Sequence, residues 1–149
     1  MRVMGAGAAC LVRELVRGSR VKAAIGMGGG GGTFMVLSAM QEIPFGVPKL
    51  CLSTLATKDV SRQVGTKDIV LMPSVVDVAG LNSLLAPLIE QAAAAVCAMA
   101  AVRPMPDPAS AGRVAVSMFG NTTACVERCT ALLRARGYEV VAFHANGTG

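Results

Sequence analysis

Aromatic side chains are nearly missing from this chain, which has no tryptophan, one tyrosine and four phenylalanines. A core must therefore be filled by Ala, Val, Leu, Ile and Met. Charge is scarce as well, at 15% of residues, and the net charge of +5 comes from scattered Arg and Lys. No basic cluster is interleaved with aromatics, which gives nucleic-acid binding little support. Histidine occurs once, and the five cysteines form no CxxC pair. Cys125 and Cys129 stack on one helical face and read as core residues, because a single histidine cannot complete a zinc site. Strongly apolar runs are missing too, although the mean hydropathy is +0.56. The best stretch, 84–102, is rich in Ala and contains Pro87, Glu90 and Gln91. That falls short of the roughly 20 apolar residues of a membrane span and reads as a buried helix, with no membrane partner. The start, MRVMGAGAAC, is too short and glycine-broken for an export signal, so a cytoplasmic location is expected.

What is present is a chain able to fold. Hydrophobic residues make up 53%, too many for disorder, and 149 residues suffice for one modest domain or parts of two. Short β-rich runs alternate with helical patterns. GAACLVRELVR (7–17) places Leu11, Val12, Leu15 and Val16 on one helical face. VKAAIGM reads as a strand entering a glycine loop, and TFMVLSAMQ as a helix with Thr33 near its start. PKLCLST (48–54) and DIVLM (68–72) are further strands, and Asn82 caps a long helix running to about Arg103. RPMPDPASAG (103–112) reads as a linker, after which the pattern restarts with RVAVSMF, the helix ACVERCTALLRARG and the strand YEVVAFH. The predicted class is α/β with a Rossmann-like parallel sheet: most of one subdomain over 1–104, lacking its N-terminal strands, a linker over 105–112, and the opening βαβ of a second over 113–149. Ligands in such sheets gather at the C-terminal ends of the strands.

The sharpest local feature is AAIGMGGGGGTF (23–34). Gly26, Gly28 and Gly31 spell G-x-G-x-x-G, but a run of five glycines satisfies many patterns. The acid that a dinucleotide site wants after the next strand is replaced by Ser53 and Thr54. The Walker lysine is replaced by Gly32 before Thr33. What remains is bare backbone able to take positive φ and approach an anion closely, ahead of a helix N-terminus; a purely structural turn is the competing reading. Other strand ends add Ser53, Thr54, Lys58 and Asp59, then Ser74, Asp77 and Asn82, then Phe119 and Gly120, and finally His144 beside Gly147, Thr148 and Gly149. Asp77 is a candidate for magnesium or a ribose, or equally a turn residue. No nucleophile–base pair stands out, so the residues give an anion site without a catalytic assignment.

Several of these loops, taken in order, resemble one family. GMGGGGGT, VPKLCLST, DVSRQVGTKDIVLMPSVVDVAGLN, SMFGNTTACVE and GYEVVAFHANGTG are similar to motifs of the Tm-one-like ATP-binding domain family, an uncharacterised protein family. The likeness runs from about residue 5 to Gly149. It implies two Rossmann-like subdomains, ATP bound with Mg2+, and a homodimer. It places nucleotide contacts on Gly28, Gly29, Gly30, Gly31, Gly32 and Thr33, with Gly30 standing for a serine of the family motif. It adds Ser53, Thr54, His144, Gly147, Thr148 and Gly149, with Asn146 standing for a threonine; Asp77, Asn82, Phe119 and Gly120 join the candidate nucleotide contacts as residues of the strand-end loops. The expectation is thus a nucleotide-binding chain, the alternatives being a hydrolase or transferase acting on a nucleotide or phosphorylated metabolite, or a truncated remnant that binds nothing.

Overall fold

The computed structural model describes residues 1–103 and 109–145. The chain divides into two compact units, Met1–Pro104 and Met105–Gly149. The first contains α1 (Arg2–Arg17), β1 (Ala24–Gly28), α2 (Gly30–Met40), β2 (Lys49–Ser53), α3 (Ser61–Val64), β3 (Ile69–Pro73) and α4 (Leu85–Ala101). Its three strands are parallel in the order β1-β2-β3, in register from Ala24, Lys49 and Ile69 through to Gly28, Ser53 and Pro73.

The central strand explains the layering. All five residues of β2 are buried, and strand geometry sends alternate side chains to opposite faces. Cys51 packs with Leu37 and Met40 of α2, with Val12 and Val16 of α1 beside them. Leu50 and Leu52 face Leu85, Ala92 and Val96 of α4. A parallel sheet needs cover on both faces, and here helices supply it. Burial raises the Cys51 thiol to about 11.

The glycines near β1 act through close approach. A Cβ on Gly26 would lie 2.5 Å from Val36 Cγ1, and one on Gly28 would lie 2.8 Å from Gly32 Cα. These absent side chains let α2 seat directly against β1. The expectation of positive φ in the glycine run is not met: none of Gly28 to Gly32 is left-handed, the glycines that are being Gly46, Gly65, Gly80, Gly112 and Gly137 among the described residues. Gly28→Ala, which presses a methyl onto backbone that cannot rotate away, is expected to destabilise the first unit by about 1–3 kcal/mol. Urea unfolding measures this.

The helices also differ from the sequence reading at their ends. α1 begins at Arg2 rather than residue 7, because Gly5 lets it cross α2: a Cβ there would sit 2.9 Å from the Phe34 ring. Leu11 lies off the buried face and is exposed. α2 begins at Gly30, so three glycines belong to its first turn. Asn82 accepts the N–H groups of Leu84 and Leu85 at 3.0 and 2.9 Å and so opens α4.

The second unit contains β4 (Gly112–Met118), a 3-10 turn (Gly120–Thr122), α5 (Thr123–Ala135) and β5 (Tyr138–His144). β4 and β5 are parallel, in register from Gly112 and Tyr138 to Met118 and His144, so this is a βαβ unit. Cys125 and Cys129, read from sequence as core, are both exposed. Val126 is the residue that α5 buries, which turns the cysteine pair away from the packed side. Of the proline-rich stretch, residues 104–108 lie outside the described residues. Among the described residues no helix is long and apolar enough to cross a membrane.

Candidate functional site

At the C-terminal end of the first sheet, three strand ends meet the start of α2. Gly29 caps the helix in an extended conformation, and the first helical hydrogen bond runs from Thr33 N–H to Gly29 O at 2.7 Å. The N–H groups of Gly30, Gly31 and Gly32 precede that bond and have no acceptor inside the helix. They carry the partial positive charge of the helix end, and none of the three has a side chain to cover it.

Two predicted residues lie beneath this turn as its support. Thr33 and Ser53 are buried, with their hydroxyl oxygens 2.6 Å apart. Thr33 Oγ1 also donates to Gly28 O at 3.2 Å, and Ser53 Oγ accepts the N–H of Leu55 at 2.9 Å. The pair ties the glycine turn to the end of β2. The backbone tie is Thr54 N–H to Gly28 O at 3.3 Å.

Above the turn the surface is open. A Cβ on Gly30 would meet nothing within 4 Å. A Cβ on Gly29 would stand 3.6 Å from Thr54 Oγ1 and 3.9 Å from Asp77 Oδ1, so a hydroxyl and a carboxylate flank the helix cap. Gly31 differs: a Cβ there would lie 1.9 Å from Met1 Cε, because the methionine methyl rests on its Cα. Sequence reasoning missed this neighbour, since nothing in a residue pattern brings position 1 to position 31.

Asp77 reaches the cap through an unusual turn. Ser74 is fully buried and its hydroxyl donates to Val76 O at 2.7 Å. Val76 N–H returns to Ser74 O at 2.6 Å across Val75, which has φ +62°. A β-branched residue rarely takes that conformation. Asp77 Oδ1 then accepts the N–H of Val78 at 2.8 Å. Asp59, by contrast, is bonded by the hydroxyl and backbone N–H of Ser61, which hold its carboxyl below the ordinary range.

The structure therefore brings together Gly28 to Thr33, Ser53, Thr54 and Asp77, with Asn82 beyond them engaged in capping α4. In the second unit, Phe119 and Gly120 follow β4, where Thr122 Oγ1 accepts the Phe119 N–H at 3.0 Å. His144 ends β5 and is exposed. Gly147, Thr148 and Gly149 lie outside the described residues. Among the described residues no group of three or more His, Cys, Asp or Glu is arranged to hold a metal ion.

Parallel strands joined by helices in two units, one with a glycine-rich helix start at its strand ends, define a Rossmann-like α/β protein. Comparison with known proteins gives the family. The N-terminal domain of an uncharacterised protein family (UPF0261) matches residues 1–105, and the C-terminal domain of the same family matches 111–149. The chain belongs to the UPF0261 family. A UPF0261 protein of Mesorhizobium japonicum is 46% identical over 129 residues, covering 87% of this chain and 32% of the relative. One of Clostridium tetani is 37% identical over 149 residues, covering 100% of this chain and 37% of the relative. The ToMV resistance protein Tm-1 of Solanum lycopersicum is 40% identical over 130 residues, covering 84% of this chain and 17% of that protein. The chain thus spans about a third of the length of the bacterial relatives and less of the plant one.

Proposed function

We propose that this chain binds ATP as its magnesium complex, with the phosphates at the N-terminus of α2. The observation that carries the reading is the open surface at the start of the helix, where Gly30 faces open space and the Gly29 cap is flanked by Thr54 and Asp77. Backbone N–H groups at a helix start bind phosphate oxygens, and a glycine cap lets them approach without side chains between. The donor set fits the group: N–H donors of Gly30, Gly31 and Gly32 for the phosphates, and the Thr54 hydroxyl with the Asp77 carboxylate for magnesium or ribose. Thr33 and Ser53 hold the turn from below. Phe119 and Gly120 enter this reading as a strand-end loop of the second unit, and His144, Gly147, Thr148 and Gly149 by the same placement together with the family motif. The same resemblance supports a homodimer, which sedimentation velocity of the purified chain measures.

The direct test is calorimetric titration with ATP in the presence of Mg2+, against NAD+ under the same conditions. Saturable binding of Mg–ATP with no comparable binding of NAD+ is expected, because β2 ends in Ser53 and Thr54 where a dinucleotide site places its ribose-binding acid. Binding of NAD+ without binding of ATP would reverse the assignment.

A further inference from the structure

A second recess lies at the other end of the first sheet, where β2 and β3 begin. It has a volume of about 850 Å³ and its apolar walls include Phe45, Val47, Val70, Met99 and Val102. Its position follows from the layering. One helix covers the α4 face of a three-stranded sheet, and Val70, level with Leu50 and on the same face, is left partly exposed. α4 packs chiefly on β1 and β2, so a trough remains beside it over the edge strand β3, at Val70.

The wall opposite α4 is held firmly. Pro44 O accepts the Val47 N–H at 3.4 Å in a turn with Gly46 at φ +83°. Beneath that turn Lys49 is fully buried, its ammonium donating to Pro44 O at 2.8 Å and Val47 O at 2.6 Å and pairing with Asp68 Oδ1 at 2.7 Å. Asp68 Oδ2 accepts the Gly46 N–H at 2.8 Å. The result is a fixed turn with Phe45 at its tip, 84% exposed. An aromatic side chain has only two χ angles, so it loses little conformational freedom when a ligand covers it.

The described charges nearby are arranged around two carboxylates, Asp68 and Glu42. Asp68 is balanced by Lys49, and Glu42 accepts both a guanidinium Nε and an Nη donor of Arg13 at 2.8 Å. Lys67, which also lines the recess, donates to Ile43 O at 3.1 Å and lies near enough to Glu42 to help hold that carboxyl down, with its ammonium at the edge of the trough. A volume of this size with mostly apolar walls and few polar groups is typical of small-molecule sites.

We propose that this recess binds an amphipathic organic anion, its apolar body along Phe45, Val70, Met99 and Val102 and its carboxylate at Lys67. The site is separate from the glycine turn and does not depend on nucleotide binding. Decanoate is a suitable probe and decanol its uncharged counterpart, each titrated calorimetrically into the full chain below the concentration at which it aggregates. Decanoate is expected to bind at one saturable site. Val70→Asp, placing a second carboxylate in the trough, should weaken it at least tenfold, and Phe45→Ser, at an exposed turn tip that the fold does not need, should weaken it several-fold. Lys67→Gln should weaken decanoate about tenfold while leaving decanol unchanged. Absence of decanoate binding to the parent chain would overturn the proposal, as would full binding by Phe45→Ser. Equal losses of decanoate and decanol in Lys67→Gln would overturn the assignment of the anion to Lys67.

Discussion

Asp68→Ala is expected to destabilise the first unit by about 3–5 kcal/mol, the range for removing one partner of a buried ion pair. The cost arises at Lys49, which has no exposed surface. Without Asp68 its ammonium stays buried among the carbonyls of Pro44 and Val47, with no counter-charge. Lys49→Met is expected to cost less, because Asp68 is 29% exposed and water can reach it. The double variant should recover much of the loss, since two apolar side chains leave no uncompensated charge. Urea unfolding of the three variants measures the pair's coupling. The pair also gives acid sensitivity. Burial alone raises the Asp68 carboxyl, but the bonds from Lys49 and the Gly46 N–H outweigh it and hold the group below its ordinary value. Stability from this group is therefore present in full above the unfolded aspartate value of about 3.9 and is lost as pH falls through the lower folded value.

Gly30→Glu is expected to separate folding from binding. The position has open space around it, so the new side chain displaces nothing. Within a helix, replacing glycine removes a propensity cost of about 0.5–1 kcal/mol, and an acid in the first turn adds about 0.3–1 kcal/mol against the helix dipole. The variant should therefore melt at or above the parent temperature. The same carboxylate sits where a phosphate would approach, and like charges brought together cost several kcal/mol. Mg–ATP affinity should fall by at least about 100-fold. A value from Gly31 would be harder to read, because a new side chain there first meets the flexible end of Met1.

Sequence pattern alone located the strands because they alternate with helical periods and end at turn residues, and each observed strand lies within or beside its expected span. The glycine run was legible as close approach of backbone, yet its recipient was not. Gly26 and Gly28 face α2, a packing role that a G-x-G pattern cannot distinguish from a ligand role. The start of α1 is hidden because Gly5 and Gly7 look like helix breakers, and only the packing of α2 against Gly5 gives the first of them a role. On α5 two stripes compete, one through Cys125 and Cys129, the other through Val126, and packing against the sheet selects the second. Lys49 reads as an ordinary strand-start lysine, since only the parallel pairing of β2 with β3 brings Asp68 beside it. The Val75 turn is likewise invisible in a run of valines, where nothing signals positive φ.

The most direct test of the central claim is a paired calorimetric titration of Mg–ATP into the parent chain and Gly30→Glu, both first shown to unfold cooperatively. Saturable binding by the parent and its loss in an equally or more stable variant is the predicted result. Equal binding by the two proteins would contradict the account, and would leave the five glycines as packing against β1 with no phosphate above them.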